Sequence, residues 1–201
     1  PVELSFTVVQ GRPAHLVAAV PADIIDLLVG PALVSVITPG GEAAAPGPVY
    51  FAEEIFGLGD AEPGHGLLGT VYALVPNTDA LPDLDDPCND PAVLNTEELS
   101  CPVTSLLLAR LDVPSRSFSD GFPGVENLRE WFAIRFEGFL LVPEAGAYDI
   151  AVCSDDGSAV TLDLPDERYI FIDNDGTHGY RCNDELAPMP AGPVPITVDY
   201  F

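Results

Sequence analysis

The sequence predicts an all-β fold, an antiparallel β-sandwich with an extra strand-rich segment at its N-terminal end. Three observations predict it. Apolar and β-branched residues recur with period two in run after run, the pattern of half-buried strands. Between the runs stand clusters of Gly, Pro, Asp and Asn, which punctuate strands as turns, and the chain holds 18 glycines and 21 prolines. Hydrophobic residues make up 47% of the 201, enough for the core of one moderate domain, or one domain plus an arm.

Val2, Leu4, Phe6 and Val8 alternate with Glu3, Ser5, Thr7 and Val9 and open the chain as a strand. Residues 16–20 and 33–38 read as two more strands, with a short helix or turn between them at 23–29, after Pro21. Residues 39–48 are a Pro- and Gly-rich loop, and 57–66, with four glycines and a proline, form a joint before the main domain. The division is therefore 1–60 as an apolar N-terminal segment and 61–201 as the sandwich. From Leu67 the pattern is strand, acidic loop, short helix, then strands. The loop, 79–102, carries Asp83, Asp85, Asp86, Asn89 and Asp90 with four prolines; a solvated loop is expected there in preference to a second cation site. Residues 131–143 alternate and are rich in aromatics, the pattern of a central strand stopped by Pro143. Strands are then expected over 147–153, 159–164, 168–172 and 193–201.

Charge separates the two parts. Thirty-two acidic residues face seven arginines and no lysine, a formal net charge of −25. Residues 1–52 hold Glu3, Asp23, Asp26, Glu42 and Arg12, a net of −3, which leaves −22 for the remainder. Such a surface repels nucleic acid and anionic membranes and excludes both as partners. It also repels itself, so bound cations or high ionic strength would favour the compact state.

Four cysteines, Cys88, Cys101, Cys153 and Cys182, form an even set with no Cys-x-x-Cys pair and no histidine at zinc spacing. Disulfides are expected, and of the three possible connectivities Cys88–Cys101 and Cys153–Cys182 are preferred, the first within the acidic loop. Bridges imply an oxidising, extracellular setting, secreted or at the cell surface. No apolar run approaches the roughly 18 residues of a membrane-spanning helix. A chain that opens at Pro1 on a strand, without a basic and apolar leader, is expected to be a processed form.

The most informative stretch is Ser154-Asp155-Asp156-Gly157-Ser158, followed by Asp173-Asn174-Asp175-Gly176. Four carboxylates, Asp155, Asp156, Asp173 and Asp175, thus stand at two turns between predicted strands. Hard oxygens at strand ends suit Ca²⁺, which takes six to eight oxygen ligands in flexible geometry. Plain turn chemistry explains an isolated Asp-x-Asp-Gly equally well, and no EF-hand is present.

Gly69-Thr70-Val71-Tyr72, residues 132–143 with Gly146 and Tyr148, residues 154–158, 172–179 and 195–201 together resemble the PA14 domain. The likeness runs from about Gly66 to the end, some two thirds of the chain. It implies a PA14-like antiparallel β-sandwich of the kind found in bacterial toxins and adhesins, glycosidases and yeast flocculins, several of which are calcium-dependent lectins. By match, Asp155 and Asp156 would be joined by a cis peptide and bind a calcium ion that holds sugar hydroxyls, with Asp173 and Asp175 as neighbours. His178 falls in the second turn and reads as a packing or backbone-bonding group. Cys153 and Cys182 depart from the family pattern, and residues 1–60 lie outside it.

Catalysis is not expected. Adjacent aspartates cannot flank a glycosidic bond from opposite sides at the roughly 5 to 9 Å that hydrolysis needs. His15, His65 and His178 are scattered, and no serine sits in a Gly-x-Ser-x-Gly elbow. The function expected is a calcium-stabilised extracellular structural or adhesion subunit. It would self-assemble with copies of itself into a filament, through addition of the strand Val2, Leu4, Phe6, Val8 to a neighbouring copy. The alternative is a calcium-dependent carbohydrate-binding adhesin module.

Overall fold

A computed structural model describes residues 66–96, 100–108, 110–117, 122, 125, 128–164 and 169–201, together with strands 6–8, 16–18, 31–32, 35–38, 41–44 and 49–51. The chain is all-β, as its sequence predicts. Its strands are β1 (Phe6–Val8), β2 (Leu16–Ala18), β3 (Pro31–Ala32), β4 (Ser35–Thr38), β5 (Gly41–Ala44), β6 (Val49–Phe51), β7 (Leu67–Ala73), β8 (Thr104–Leu108), β9 (Phe132–Val142), β10 (Gly146–Ser154), β11 (Ser158–Asp163), β12 (Tyr169–Asn174), β13 (Arg181–Met189) and β14 (Gly192–Tyr200).

One large sheet runs β12-β11-β14-β9-β7-β8-β6-β3. Its pairs are antiparallel except β6 with β8. β6 and β3 therefore continue the sheet that the C-terminal strands build. β10 and β13 pair as a separate antiparallel ribbon, and β1 with β2 and β4 with β5 form two small hairpins. Pro193 and Pro195 sit in the stretch of β14 that pairs only with β9; the β11 ladder along β14 begins at Ile196. Lacking an N–H, a proline belongs where one side of its strand has no partner.

The ribbon covers one face of the large sheet, and the core lies between them. Alternate residues deliver it: Val71 and Ala73 of β7, Leu106 and Leu108 of β8, Ile134 and Phe136 of β9, Val160 and Leu162 of β11, Ile172 of β12, Val194 and Val198 of β14. From the ribbon come buried Ala187 and Met189 and half-buried Tyr148, Ile150 and Val152. A second, smaller cluster sits on the opposite face, where Leu84 and Val93 of the acidic loop pack on Tyr72, Leu74 and Ala133. The loop is thus held against the sheet by its apolar residues while Asp79, Asp83, Asp85 and Asp86 face water.

Several expectations change: residues 39–48, expected as a loop, hold strand β5, and β13 falls where no strand was expected. The described element that follows the acidic loop is strand β8, and among the described residues the helical turn is a 3₁₀ turn, Pro87–Asn89, inside the loop itself, where a short helix was expected beyond it. A run such as Thr104-Ser105-Leu106-Leu107-Leu108 is ambiguous in period, and pairing with β7 on one side and β6 on the other settles it as strand. The strand expected from Trp131 begins at Phe132, because Trp131 has φ 58° and its carbonyl receives the Leu74 N–H at 2.7 Å. Val2, Leu4, residues 23–29, the greater part of the 57–66 joint, His15 and His65 lie outside the described residues.

Candidate functional site

The two acidic turns meet at one end of the sandwich. β10 enters the first turn and β11 leaves it, while β12 enters the second and β13 leaves it. Because β11 pairs with β12, Ser158 opposite Asn174, both turns come to the same end. Contact between them is direct. The His178 N–H donates to Asp156 Oδ1 at 2.9 Å. Gly157 lies so close to the second turn that a methyl group in its place would stand 2.9 Å from Gly176 N and 3.0 Å from Asp175 Oδ1, and would strike the Phe201 ring. The peptide bond between Asp155 and Asp156 is cis, as the PA14 resemblance implies.

Beneath the turns lies a buried polar knot. Asn174 is fully buried; its amide nitrogen donates to Ser154 Oγ at 2.9 Å and Ser158 Oγ at 3.3 Å, and the two hydroxyls lie 2.7 Å apart. Its Oδ1 accepts from Arg181 Nε at 2.8 Å, so every polar group of the side chain is paired. A satisfied buried network of this kind holds one arrangement, since any member left alone would carry a desolvation penalty. The knot fixes both strand ends and therefore both turns.

Each aspartate has its own setting. Asp175 Oδ1 accepts the Gly176 N–H at 2.7 Å and the Leu81 N–H at 2.8 Å, which ties the acidic loop to the second turn. Asp173 Oδ1 accepts the Asp175 N–H at 3.0 Å, an Asx turn. Asp156 is half-buried and Asp155 exposed. Tyr200 Oη donates to the Asp155 carbonyl at 2.9 Å; burial raises the pKa of this phenol, and the nearby charges of Asp156 and Asp155 raise it further. His178 is a backbone-bonding group, with Nδ1 2.9 Å from Gly179 O and Nε2 2.9 Å from Asn174 O.

Sequence reasoning missed three members: Asn174 as the buried centre, Arg181, and Arg135. Arg135 forms a two-pronged pair with Asp199, Nε to Oδ1 and Nη2 to Oδ2 both at 2.8 Å, and its Nη1 reaches Leu84 O at 2.7 Å and Asp85 Oδ1 at 2.6 Å. Burial works against its charge, but the bonds to Asp199 and Asp85 prevail and raise its pKa. Both disulfides are formed in the expected connectivity, Cys88–Cys101 in the acidic loop and Cys153–Cys182 across the ribbon. The acidic loop uses its carboxylates internally: Asp90 accepts the N–H of Asp83 and of Ala92, each at 2.7 Å, and Asp86 accepts from Asn89.

The donor set at the apex is hard oxygen, the chemistry that suits calcium and not a soft metal. Among the described residues no three His, Cys, Asp or Glu side chains gather as an enclosed metal site. Several turn carbonyls are already engaged, Asp155 by Tyr200, Gly157 by the Phe201 N–H at 3.0 Å, Asn174 by His178 and Asp175 by Arg181. What the apex can do chemically is offer a few carboxylate oxygens on an open surface, with the remaining coordination left to water or to an incoming ligand. Among the described residues no helix is long and apolar enough to cross a membrane. Neither a known family model nor a curated protein matches the chain.

Proposed function

We propose that this chain is a non-enzymatic extracellular adhesion and structural subunit, and that the apex of the two acidic turns binds calcium and, through it, the hydroxyls of a glycan. The observation that carries the reading is the contact between turns, Asp156 with His178 and Gly157 with Asp175 and Gly176. Asp155 and Asp156 would supply the first carboxylate oxygens, with Asp173 and Asp175 close by. Calcium there would supply coordination positions for hydroxyl oxygens. The PA14 resemblance of the sequence points the same way. The test is a glycan array with calcium and again with chelator, beside calorimetric calcium titration. Sugar binding that vanishes with chelator is expected; no calcium uptake at millimolar concentration would remove the reading.

A second reading, self-assembly by strand addition, is favoured by the ribbon, which among the described residues has no partner strand on either side. An open edge presents unpaired N–H and C=O groups to another chain. The N-terminal strand, with Glu3 as the one charge in residues 1–10, is the segment best able to approach so acidic a neighbour. Replacing Phe6 with Asp in the full chain should leave soluble monomers, and polymers that persist unchanged would count against it.

A further inference from the structure

The hydrogen-bond phase of the ribbon distinguishes its two edges. Cys153 and Cys182 stand directly opposite with their Cα atoms 4.0 Å apart, the close spacing of a non-hydrogen-bonded antiparallel pair. The phase then follows along the register. Ala147, Asp149, Ala151 and Cys153 on β10, and Cys182, Asp184, Leu186 and Pro188 on β13, turn their backbone polar groups outward. Pro188 occupies one of the outward positions, as a proline in an edge strand should. It also removes a donor from that edge, beside Asp184 and Glu185, whose charges would repel another acidic chain.

The β10 edge differs on each count. All four outward positions keep an N–H, and Asp149 is the strand's single charge. Ala147 and Ala151 are small. On the inward side Tyr148, Ile150 and Val152 belong to the main core yet are only half-buried, so a strand laid beside them would complete their burial. The outer rim of the large sheet is less open, since the Asp173 carbonyl of β12 already accepts a hydrogen bond from Asn183 Nδ2.

We infer that the edge of β10 left open among the described residues is the acceptor for residues 2–8 of a second copy of this chain. The incoming strand lies beside the row of Tyr148, Ile150 and Val152, and its backbone pairs with the outward groups of Ala147, Asp149, Ala151 and Cys153. β1 keeps its hairpin with β2 on one side and offers its other edge. The inference rests on the self-assembly reading.

The experiment is amide hydrogen exchange on the full chain, dilute as monomer and concentrated as assembly. Protection of the Ala147, Asp149, Ala151 and Cys153 amides should rise about tenfold or more on assembly, while those of Cys182, Asp184 and Leu186 stay unchanged. Ala151→Pro, which removes one outward donor, should weaken assembly about tenfold, as loss of roughly one hydrogen bond would. Protection that appears on β13 or β12 instead overturns the choice of edge and leaves strand addition standing. Assembly that is indifferent to Phe6→Asp overturns strand addition itself, and a chain that stays monomeric at every concentration overturns both.

Discussion

Gly157→Ala separates the two acidic turns with one methyl group. That methyl would stand 2.9 Å from Gly176 N and 3.0 Å from Asp175 Oδ1, and would strike the Phe201 ring. The ring can swing aside, but the Gly176 N–H is held by Asp175 at 2.7 Å, so the second turn must move as a unit. Overpacking of this kind costs about 1–3 kcal/mol. For a domain of this size, that lowers Tm by roughly 2–4 °C per kcal/mol, or about 4–8 °C for a mid-range cost. Glycine to alanine at an unobstructed position with compatible backbone does the opposite, gaining about 0.4–1 kcal/mol through the unfolded state. Gly179, where a methyl group would meet nothing within 4 Å, is the internal control. Thermal unfolding and calcium titration of both variants form the assay. Gly157→Ala should melt lower and bind calcium at least about tenfold more weakly, while Gly179→Ala keeps both. If the two variants melt alike, the close contact between turns is wrong. Lower melting with unchanged calcium affinity leaves the contact but detaches it from cation binding.

Arg135→Gln removes the two-pronged pair with a largely buried Asp199 and the tie to Leu84 O; we expect a loss of about 2–4 kcal/mol in urea unfolding and faster proteolysis within residues 79–96, and a loss below about 0.5 kcal/mol would refute the role. Tyr200 gives a pH signature. Its pKa is raised in the folded state by burial and then by Asp156 and Asp155, so above pH 10.0, where the unfolded chain ionises first, unfolding is favoured and stability falls as pH rises. Tyr72, raised mainly by burial, adds to the same alkaline loss, and Tyr200→Phe should make the decline shallower by one group. Calcium at the apex would reduce the charge of Asp155 and Asp156, so Tyr200 phenolate absorbance should develop at lower pH with calcium than with chelator; coincident titrations would speak against the apex as the cation site.

Much of the sandwich was legible because period two is a local property. Strands β9 to β12 and β14 follow their alternation to within a residue or two, whereas β13, rich in polar residues, was not foreseen; the disulfide between Cys153 and Cys182 falls on a register pair. The polar knot was legible too, in a way that turn chemistry obscured. Asn174 continues the inward series of Ile170 and Ile172, Ser154 that of Tyr148, Ile150 and Val152, and Ser158 that of Val160 and Leu162. Parity alone places all three inside. What no local pattern holds is the pairing of Arg135 with Asp199 and Asp85, which are 64 and 50 residues away, because that depends on the order β14-β9 and on where the acidic loop folds back.

With no lysine and seven arginines, this chain holds its acidic turns largely by backbone N–H groups, and that separates carboxylates that build the fold from those left free. Asp175, Asp173, Asp90 and Asp156 each accept at least one N–H. The Asp155 carboxylate is exposed and takes none among the described residues; only its carbonyl is engaged. The adjacent pair should therefore respond differently to the same change. Asp156→Asn weakens a charge-assisted, half-buried bond to the His178 N–H and should cost about 1–2 kcal/mol as well as calcium affinity. Asp155→Asn should leave unfolding within about 0.5 kcal/mol of the parent while calcium affinity drops just as far. A split of this kind, stability from one aspartate and cation binding from both, is what an apex built for an external ligand requires. Equal destabilisation by both variants with calcium uptake unchanged would reduce the pair to turn chemistry alone.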